Sequence, residues 1–306
     1  MPKKRLPLVA ALLGAVALGS CTGHDLSPQG SPSQRDVSRG IITASLERYI
    51  ESGSDEPYEQ FGITGVFVRH ASEEGPTADA LLGSRVPETD LSLDTCSLPA
   101  PVLDGRGADA LEGGTAIELL DVGDLSVSIG EMKKPVPTRT FPDLLKVIVG
   151  VIYAADETQD IVYRPGETYS VRGTGSDSVA PFEVVLEAPD DMADLKIDGL
   201  APGEQTPFVQ RGKSLELTWE PGGYGDEAMI TLTWTGMGAP WSLACRARDD
   251  GIFVVPAEIT AALPDHLTAT DESMTVSRVR QVAFRADGIS SSAFSFVIST
   301  NFPVKF

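Results

Sequence analysis

Histidine and serine residues that could support nucleophilic catalysis are sparse in this chain of 306 residues. His70 and His266 are the two histidines that follow the N-terminal region, and neither belongs to a His-Glu-x-x-His metal motif. The Gly-x-Ser-x-Gly turn that carries the nucleophile of an α/β-hydrolase is also missing. We therefore interpret both histidines as exposed loop residues and predict no catalytic residue.

Acidic residues are numerous, with 44 aspartates and glutamates. A glycoside hydrolase needs only two well-placed carboxylates, but the sequence gives no reason to select a pair. Oxygen-rich loops also bind calcium. The candidate calcium ligands are Asp190, Asp191, Asp194 and Asp198. The ordinary alternative is that they are solvated turn acids, because the Asp-x-Asp-x-Asp-Gly loop pattern is absent. We predict no other metal or cofactor.

Three tryptophans fall close together in the second half of the chain, and stacked aromatic rings would suit a carbohydrate ligand. Trp219 and Trp234 continue the apolar faces of alternating segments, so we expect them to pack in a core. Trp241 follows a Gly-Ala-Pro turn and is the ring that we expect to be exposed for a sugar contact.

Two cysteines, Cys96 and Cys245, lie within the body of the chain. An exported protein permits them to form a disulfide that ties the two halves of the chain together. The alternative is two separate buried thiols. A structural zinc site is not expected, because no Cys-x-x-Cys or Cys/His cluster exists.

The N-terminus combines a basic start, an apolar run and small residues before Cys21. Lys3, Lys4 and Arg5 precede the run at residues 6–18, which is shorter than the roughly 20 residues of a membrane-spanning helix. Leu18-Gly19-Ser20-Cys21 resembles the lipobox of bacterial lipoproteins. That resemblance implies cleavage before Cys21, lipidation of its sulfur and acylation of the new N-terminus. The resemblance to Gram-negative lipoproteins also implies that Thr22, in place of Asp, favours the outer membrane over the inner membrane.

The segment after Cys21 is polar and rich in Gly, Ser and Pro, so residues 21–39 are predicted to form a flexible tether. The net charge of −20 excludes nucleic acid as a natural partner, since an acidic surface repels phosphate. The lipid on Cys21 supplies a membrane partner. A further protein or glycan partner is expected, but the sequence does not identify it.

Alternating apolar and polar residues predict short strands throughout the rest of the chain. Residues 42–50 alternate in this way, although the spacing of Ile42, Leu46 and Ile50 also suits a helix. Residues 116–120 and 125–129 flank Gly123 and predict a hairpin. Long helical patterns are absent, so the predicted fold class is all-β, with two antiparallel Ig-like β-sandwich domains at residues 40–188 and 189–306 after a signal peptide at residues 1–20.

Several short motifs resemble parts of uncharacterised bacterial lipoproteins with tandem Ig-like domains. They are Leu215-Glu216-Leu217-Thr218-Trp219, the run from Cys245 to Ala257, and Pro165-Gly166-Glu167-Thr168-Tyr169-Ser170-Val171. The resemblance implies architecture and location in the cell envelope but no activity. We therefore expect a non-catalytic binding or scaffolding protein anchored to the outer membrane. The alternative is a surface hydrolase, directed at glycan or peptide, with an unrecognised active site.

Overall fold

The computed structural model describes residues 36–51, 57–71, 91–101, 117–141, 148–156, 160–236, 238–264 and 269–306. The predicted signal peptide, Cys21 and His266 lie outside the described residues. The described chain is almost entirely β-structure, with one short helix, α1 (Ala257–Ala261). None of its helices is long and apolar enough to span a bilayer.

The strands in chain order are β1 (Asp36–Tyr49), β2 (Tyr58–Ala71), β3 (Thr95–Cys96), β4 (Ala100–Pro101), β5 (Ile117–Leu119), β6 (Leu125–Ile129), β7 (Met132–Val136), β8 (Thr138–Phe141), β9 (Ile148–Asp156), β10 (Thr168–Gly173), β11 (Phe182–Glu187), β12 (Lys196–Ile197), β13 (Leu215–Thr218), β14 (Glu227–Gly236), β15 (Ala239–Arg248), β16 (Ile252–Val255), β17 (Ala269–Phe284) and β18 (Ser291–Pro303). The alternating segment after residue 40 is a strand, as predicted, and not a helix. That strand already begins at Asp36, inside the predicted tether, because residues 36–39 pair with β2.

One large sheet of eleven strands runs through the whole body, in the order β3-β15-β14-β17-β18-β1-β2-β5-β9-β8, with β4 also paired to β15. Its central strands β1 and β18 run parallel, with Ala44 opposite Phe296. Their neighbours β2 and β17 pair with them in antiparallel fashion. Two segments more than 200 residues apart in the sequence, Asp36–Tyr49 and Ser291–Pro303, therefore form the middle of the sheet.

Two smaller sheets complete the sandwiches: four strands in the order β11-β10-β6-β7, and three in the order β12-β13-β16. The first small sheet shares one hydrophobic core with the large sheet, and the second shares another. Met274 and Val276 of β17 belong to the second core, whereas Val282 and Phe284 of the same strand pack against the first. Because side chains two residues apart in a strand lie on one face, the two small sheets cover neighbouring parts of the same face.

The predicted division at residues 188 and 189 falls where the chain passes between the cores. Ala188 belongs to the first core and Met192 to the second. However, β17 and β18 supply side chains to both cores, and residues 35–306 form one compact unit. Whether the two parts fold as separate domains stays a prediction.

Tyr169 attaches the segment that precedes β10 to the first core. Its ring is fully buried and packs edge-on against Phe296, 4.9 Å between ring centroids. Its hydroxyl donates to the Val162 carbonyl at 2.8 Å and accepts from the Arg164 amide at 2.9 Å. A tyrosine whose hydroxyl bonds to the backbone a few residues upstream is a recurrent feature of Ig-like sandwiches, known as the tyrosine corner.

The predicted hairpin of residues 116–129 is wrong. β5 pairs with β2 and β9 in the large sheet, whereas β6 pairs with β7 and β10 in the four-stranded sheet. The connection crosses between the sheets, and Tyr153 holds it: its hydroxyl accepts from the Val122 amide at 2.9 Å and lies 2.8 Å from the Asp121 carboxylate. Gly123 still turns with φ 75°, but the turn links two layers instead of two paired strands.

Candidate binding loop at the junction of the two cores

Three arginines interrupt the apolar face of the large sheet where the two cores meet. Arg48 lies at the end of β1, and Arg278 and Arg280 lie in the middle of β17 between the residues of the two cores. Arginine is almost never buried without partners. The junction therefore needs acceptors, and the loops of the second half of the chain supply most of them.

Arg278 forms an ion pair with Asp249, and each side chain is only 1% exposed. Its Nε lies 2.5 Å from Asp249 Oδ2, and its Nη1 donates to the carbonyls of Asp190 and Asp191 at 2.9 and 2.7 Å. Nη2 donates to the Glu220 carbonyl. Trp219 Nε1 donates to the other Asp249 oxygen at 2.5 Å. This pair joins β17 to the link that precedes β12, the loop after β13 and the turn before β16.

Arg280 holds the loop of residues 220–226 through Asp226, in a geometry that uses both carboxylate oxygens. Nε lies 2.6 Å from Oδ1 and Nη2 lies 2.8 Å from Oδ2. The Gly223 amide donates to the same Oδ2 at 2.9 Å, so Asp226 closes the loop on itself. The bond to Asp226 raises the pKa of Arg280 above its ordinary value. Paired bonds of this kind restrict geometry as well as adding energy.

Two glycines let the loop lie directly on the charged cluster. A Cβ atom on Gly222 would stand 2.1 Å from Asp249 Oδ2, and one on Gly223 would stand 2.5 Å from Arg280 Nη2. A side chain at either position would force Asp249 or Arg280 to move out of its ion pair. The Gly222 amide also donates to the Asp249 carbonyl at 3.3 Å. The loop is therefore held at its base by groups that larger residues would displace.

Tyr224 stands at the tip of this loop with its side chain fully in solvent, at 109% relative exposure. The loop therefore presents an aromatic ring that has no contact with the body, from a base fixed by buried ion pairs. Tyrosine is enriched at binding hot spots, because its large rigid ring loses little conformational entropy on contact.

The loop continues into the exposed face of β16. Pro221 lies 3.2 Å from the Cβ position of Gly251, the residue directly before that strand. Ile252 and Val254 then point outward, 50% and 44% exposed. We call residues 220–226 and the outer face of β16 the junction surface. Its rim includes the exposed acids Glu220 and Asp250.

Arg48 closes the other end of the junction. It pairs with Glu59 at 2.5 Å and with Asp191 at 2.8 Å. Burial alone would lower the pKa of Arg48, but the bonds to Asp191 and Glu59 outweigh it and raise that pKa above its ordinary value. The three junction arginines are thus neutralised by carboxylates of the protein itself.

The four aspartates proposed to bind calcium have other roles in the described structure. Across the described ranges, no group of three or more His, Cys, Asp or Glu side chains is arranged to hold a metal ion. Asp191 is taken by Arg48, and Asp198 accepts the Glu216 amide at 3.0 Å. Asp194 and Asp198 occupy left-handed turn positions, with φ 53° and 47°. Ion pairing and turn geometry explain their clustering.

Trp241 and His70 also differ from the positions that the sequence predicted for them. Trp219 and Trp234 are buried, as expected, but Trp241 is half-buried against the second core and donates its Nε1 to the Gly236 carbonyl at 3.2 Å. It is therefore not an exposed platform for a sugar. His70 lies within β2 and is buried instead of occupying an exposed loop.

Cys96 and Cys245 are joined by a disulfide. The sequence had left two arrangements open, this disulfide and two separate thiols. They lie directly opposite each other in the pair β3–β15. The segment 91–101 thereby covers the outer edge of β15. Arg248 Nε and Asp94 Oδ2, 2.8 Å apart, support the same contact.

The charged junction was missed at the level of sequence, although β17 carried a signal for it. In that strand Met274, Val276, Val282 and Phe284 share one face, and Arg278 and Arg280 fall between them on the same face. Two cations inside an apolar stripe require buried acceptors. The sequence alone did not identify Asp249 and Asp226 as those acceptors.

No protein-family model matches the chain, and no curated protein matches it. Among solved structures it is similar to the FN1-FN3 domains of chicken CNTN1, with 13% identity and a TM-score of 0.17. The similarity covers 61% of this chain and 60% of that one. The chain therefore spans less than two thirds of that structure.

Proposed function

We propose that this protein is a lipid-anchored envelope lipoprotein that binds a partner without catalysis, and that the junction surface makes the contact. Lipid on Cys21 would hold it to the outer membrane, and the polar segment that follows would let the body reach away from the bilayer. The all-β body would act as a rigid support for the loop of residues 220–226.

The observation that carries the binding role is the contrast between Tyr224 and the base of its loop. The ring is entirely in solvent, whereas the loop under it rests on Arg278, Arg280 and their buried carboxylates. A folded chain ordinarily places a large aromatic ring against its own surface. A ring held outward from a fixed base is pre-organised for contact with another molecule, which lowers the entropic cost of binding.

The anchor is supported by the N-terminal pattern, and its test is chemical. The full chain is expressed in a Gram-negative host, and the mass of the membrane-bound form is measured for wild type and Cys21→Ala. Wild type should begin at Cys21 and carry acyl chains, because several chains give stable membrane attachment where one does not. A soluble, unacylated wild-type product would contradict the anchored role.

The binding role is tested by photo-crosslinking in intact cells, with a photoreactive phenylalanine analogue at position 224. The same analogue at position 208 is the control, since Phe208 is also exposed, at 59%. We expect a discrete adduct from position 224 and none from position 208. Gly222→Ala should abolish the adduct, because it displaces the loop. Protease or glycosidase sensitivity of the adduct identifies a protein or glycan partner. Equal labelling from both positions would contradict a binding site at the loop.

A further inference from the structure

We propose that β16 is an open edge to which an extended segment of a partner protein adds as a further strand, with apolar side chains alternating with basic ones. This inference rests on the proposed binding function and specifies how the partner is held. It follows from the way in which the edges of the small sheets differ.

Exposed sheet edges in folded proteins carry features that prevent pairing with other chains, chiefly charges and proline. The edge strand β7 carries Lys133, Lys134 and Pro135. The edge strand β11 carries Glu183 and Glu187. By contrast β16, the edge of the three-stranded sheet, reads Ile-Phe-Val-Val and has neither charge nor proline within it. The features that protect β7 and β11 are missing from β16.

In the register of β16 with β13, alternate residues of β16 direct their backbone N–H and C=O groups away from the sheet. The Trp219 amide donates to the Gly251 carbonyl at 3.0 Å, which makes these two residues a hydrogen-bonded pair. Because such pairs alternate along an antiparallel ladder, Phe253 and Val255 bond to β13, whereas Ile252 and Val254 direct their N–H and C=O groups away from it. Within the described part of the chain no hydrogen bond reaches those groups. Two donors and two acceptors are therefore available in the spacing that an added strand requires.

The same two residues expose their side chains, so backbone and side-chain contacts would act together. An added strand would place alternate side chains beside Ile252 and Val254, and apolar residues there would remove both from water. The adjoining acids are Asp250, two residues before the strand, Glu216 opposite Val254, and Glu220 in the neighbouring loop. Together with the net charge of −20, they favour lysine or arginine at the remaining positions.

A second copy of the chain is a poorer occupant. A four-residue edge buries far less than the roughly 800 Å² per partner of a stable interface, and two copies would bring like charges together. An extended basic segment is favoured instead, since it adds its own backbone bonds and brings opposite charge to the acidic edge.

The test uses a fluorescent peptide of about eight residues that alternates valine and lysine, with both ends blocked. A second peptide has the same charge but proline at two central positions, so it cannot add as a strand. Binding is measured by anisotropy to the folded full-length protein, to Val254→Lys, and to Val185→Lys. Val185 is the matched control because it is 52% exposed on the edge strand β11.

We expect Val254→Lys and the proline peptide each to weaken binding about tenfold or more, and Val185→Lys to stay within about twofold of wild type. Slowed hydrogen exchange of the Ile252 and Val254 amides should accompany binding of the first peptide. Equal weakening by both lysine variants would show general charge attraction and overturn the inference, as would equal binding of the proline peptide. So would a concentration-dependent dimer that Val254→Lys abolishes, because the edge would then serve a second copy.

Crosslinking at position 224 separates this inference from the proposed function. An adduct that persists in Val254→Lys, together with no binding of the valine-lysine peptide to the wild-type protein, leaves the binding role intact and excludes strand addition. If the wild-type protein gives no adduct, neither the proposed binding role nor strand addition is supported.

Discussion

Arg278 and Asp249 lie in contact at the junction of the two cores, with Nε 2.5 Å from Oδ2. They are 29 residues apart in the chain, and neither side chain reaches solvent. Asp249 also accepts from Trp219, and Arg278 also donates to the backbone at residues 190, 191 and 220. One ion pair therefore links the strand shared by both cores to three separate connections.

Arg278→Met should lower the free energy of unfolding by about 3–5 kcal/mol, because it leaves the Asp249 carboxylate buried without a counter-charge. Arg278→Met with Asp249→Leu should recover part of that loss, although Trp219 Nε1 would still lack its acceptor. Urea denaturation measures both. Arg69→Met is the control, since the exposed pair Arg69–Glu118 should contribute within about 1 kcal/mol. Equal losses in Arg278→Met and Arg69→Met would contradict the central position of the buried pair.

Gly222→Ala should displace the loop of residues 220–226, because its Cβ would stand 2.1 Å from Asp249 Oδ2. We expect a loss of about 1–3 kcal/mol and faster proteolysis within the loop. Gly225→Ala is the matched control: its Cβ meets nothing within 4 Å, but its φ of +88° costs about 1 kcal/mol. If limited proteolysis cuts both variants at the same rate, the clash under Gly222 does not hold the loop in place.

Replacing both Cys96 and Cys245 by alanine should lower stability by about 3–5 kcal/mol, since the disulfide spans 149 residues of the chain. Hydrogen exchange should rise along β15, where segment 91–101 covers the edge, and much less along β1 at the centre of the sheet. Exchange followed by mass spectrometry, with and without reductant, measures this. Unchanged exchange along β15 would show that the remaining contacts, such as Asp94 with Arg248, suffice to hold the segment.

Three tyrosines should make the fold sensitive to alkali. Burial raises the pKa of Tyr169 to about 12 and raises those of Tyr153 and Tyr163 above their ordinary value. Since these pKa values are higher in the folded state, their contribution is fully present below pH about 10 and is lost as pH rises from there toward the folded values. The unfolding free energy should therefore fall between pH about 10 and 12.

Tyr169→Phe tests the origin of that fall. The variant should be less stable at neutral pH, because the Arg164 amide loses its acceptor, yet its stability should decline less steeply above pH 10. Tyr58→Phe, on an exposed ring, serves as the control and should keep the wild-type slope. Urea midpoints at pH 9 and pH 11 provide the measurement; parallel slopes for all three proteins would exclude Tyr169 as a cause.

Local alternation was enough to predict most strands. Residues 42–49 and 125–129 of the alternating segments lie in the strands β1 and β6, because a half-buried strand needs only a period of two, which neighbouring residues encode. The hairpin prediction failed at Leu120 and Val122, where the chain leaves the large sheet for the small one. Alternation reports which side chains face inward, but it does not report which sheet a strand joins.

The sequence by itself determined the all-β class, the buried positions of Trp219 and Trp234, and the N-terminal pattern from which the anchor is inferred, because each depends on residues close together in the chain. Only the tertiary structure decided that Cys96 meets Cys245 and that Asp249 meets Arg278, since partners so far apart are chosen by the packing of whole sheets. It also decided that Tyr224 stands in solvent, because the exposure of a loop residue depends on what lies beneath its base.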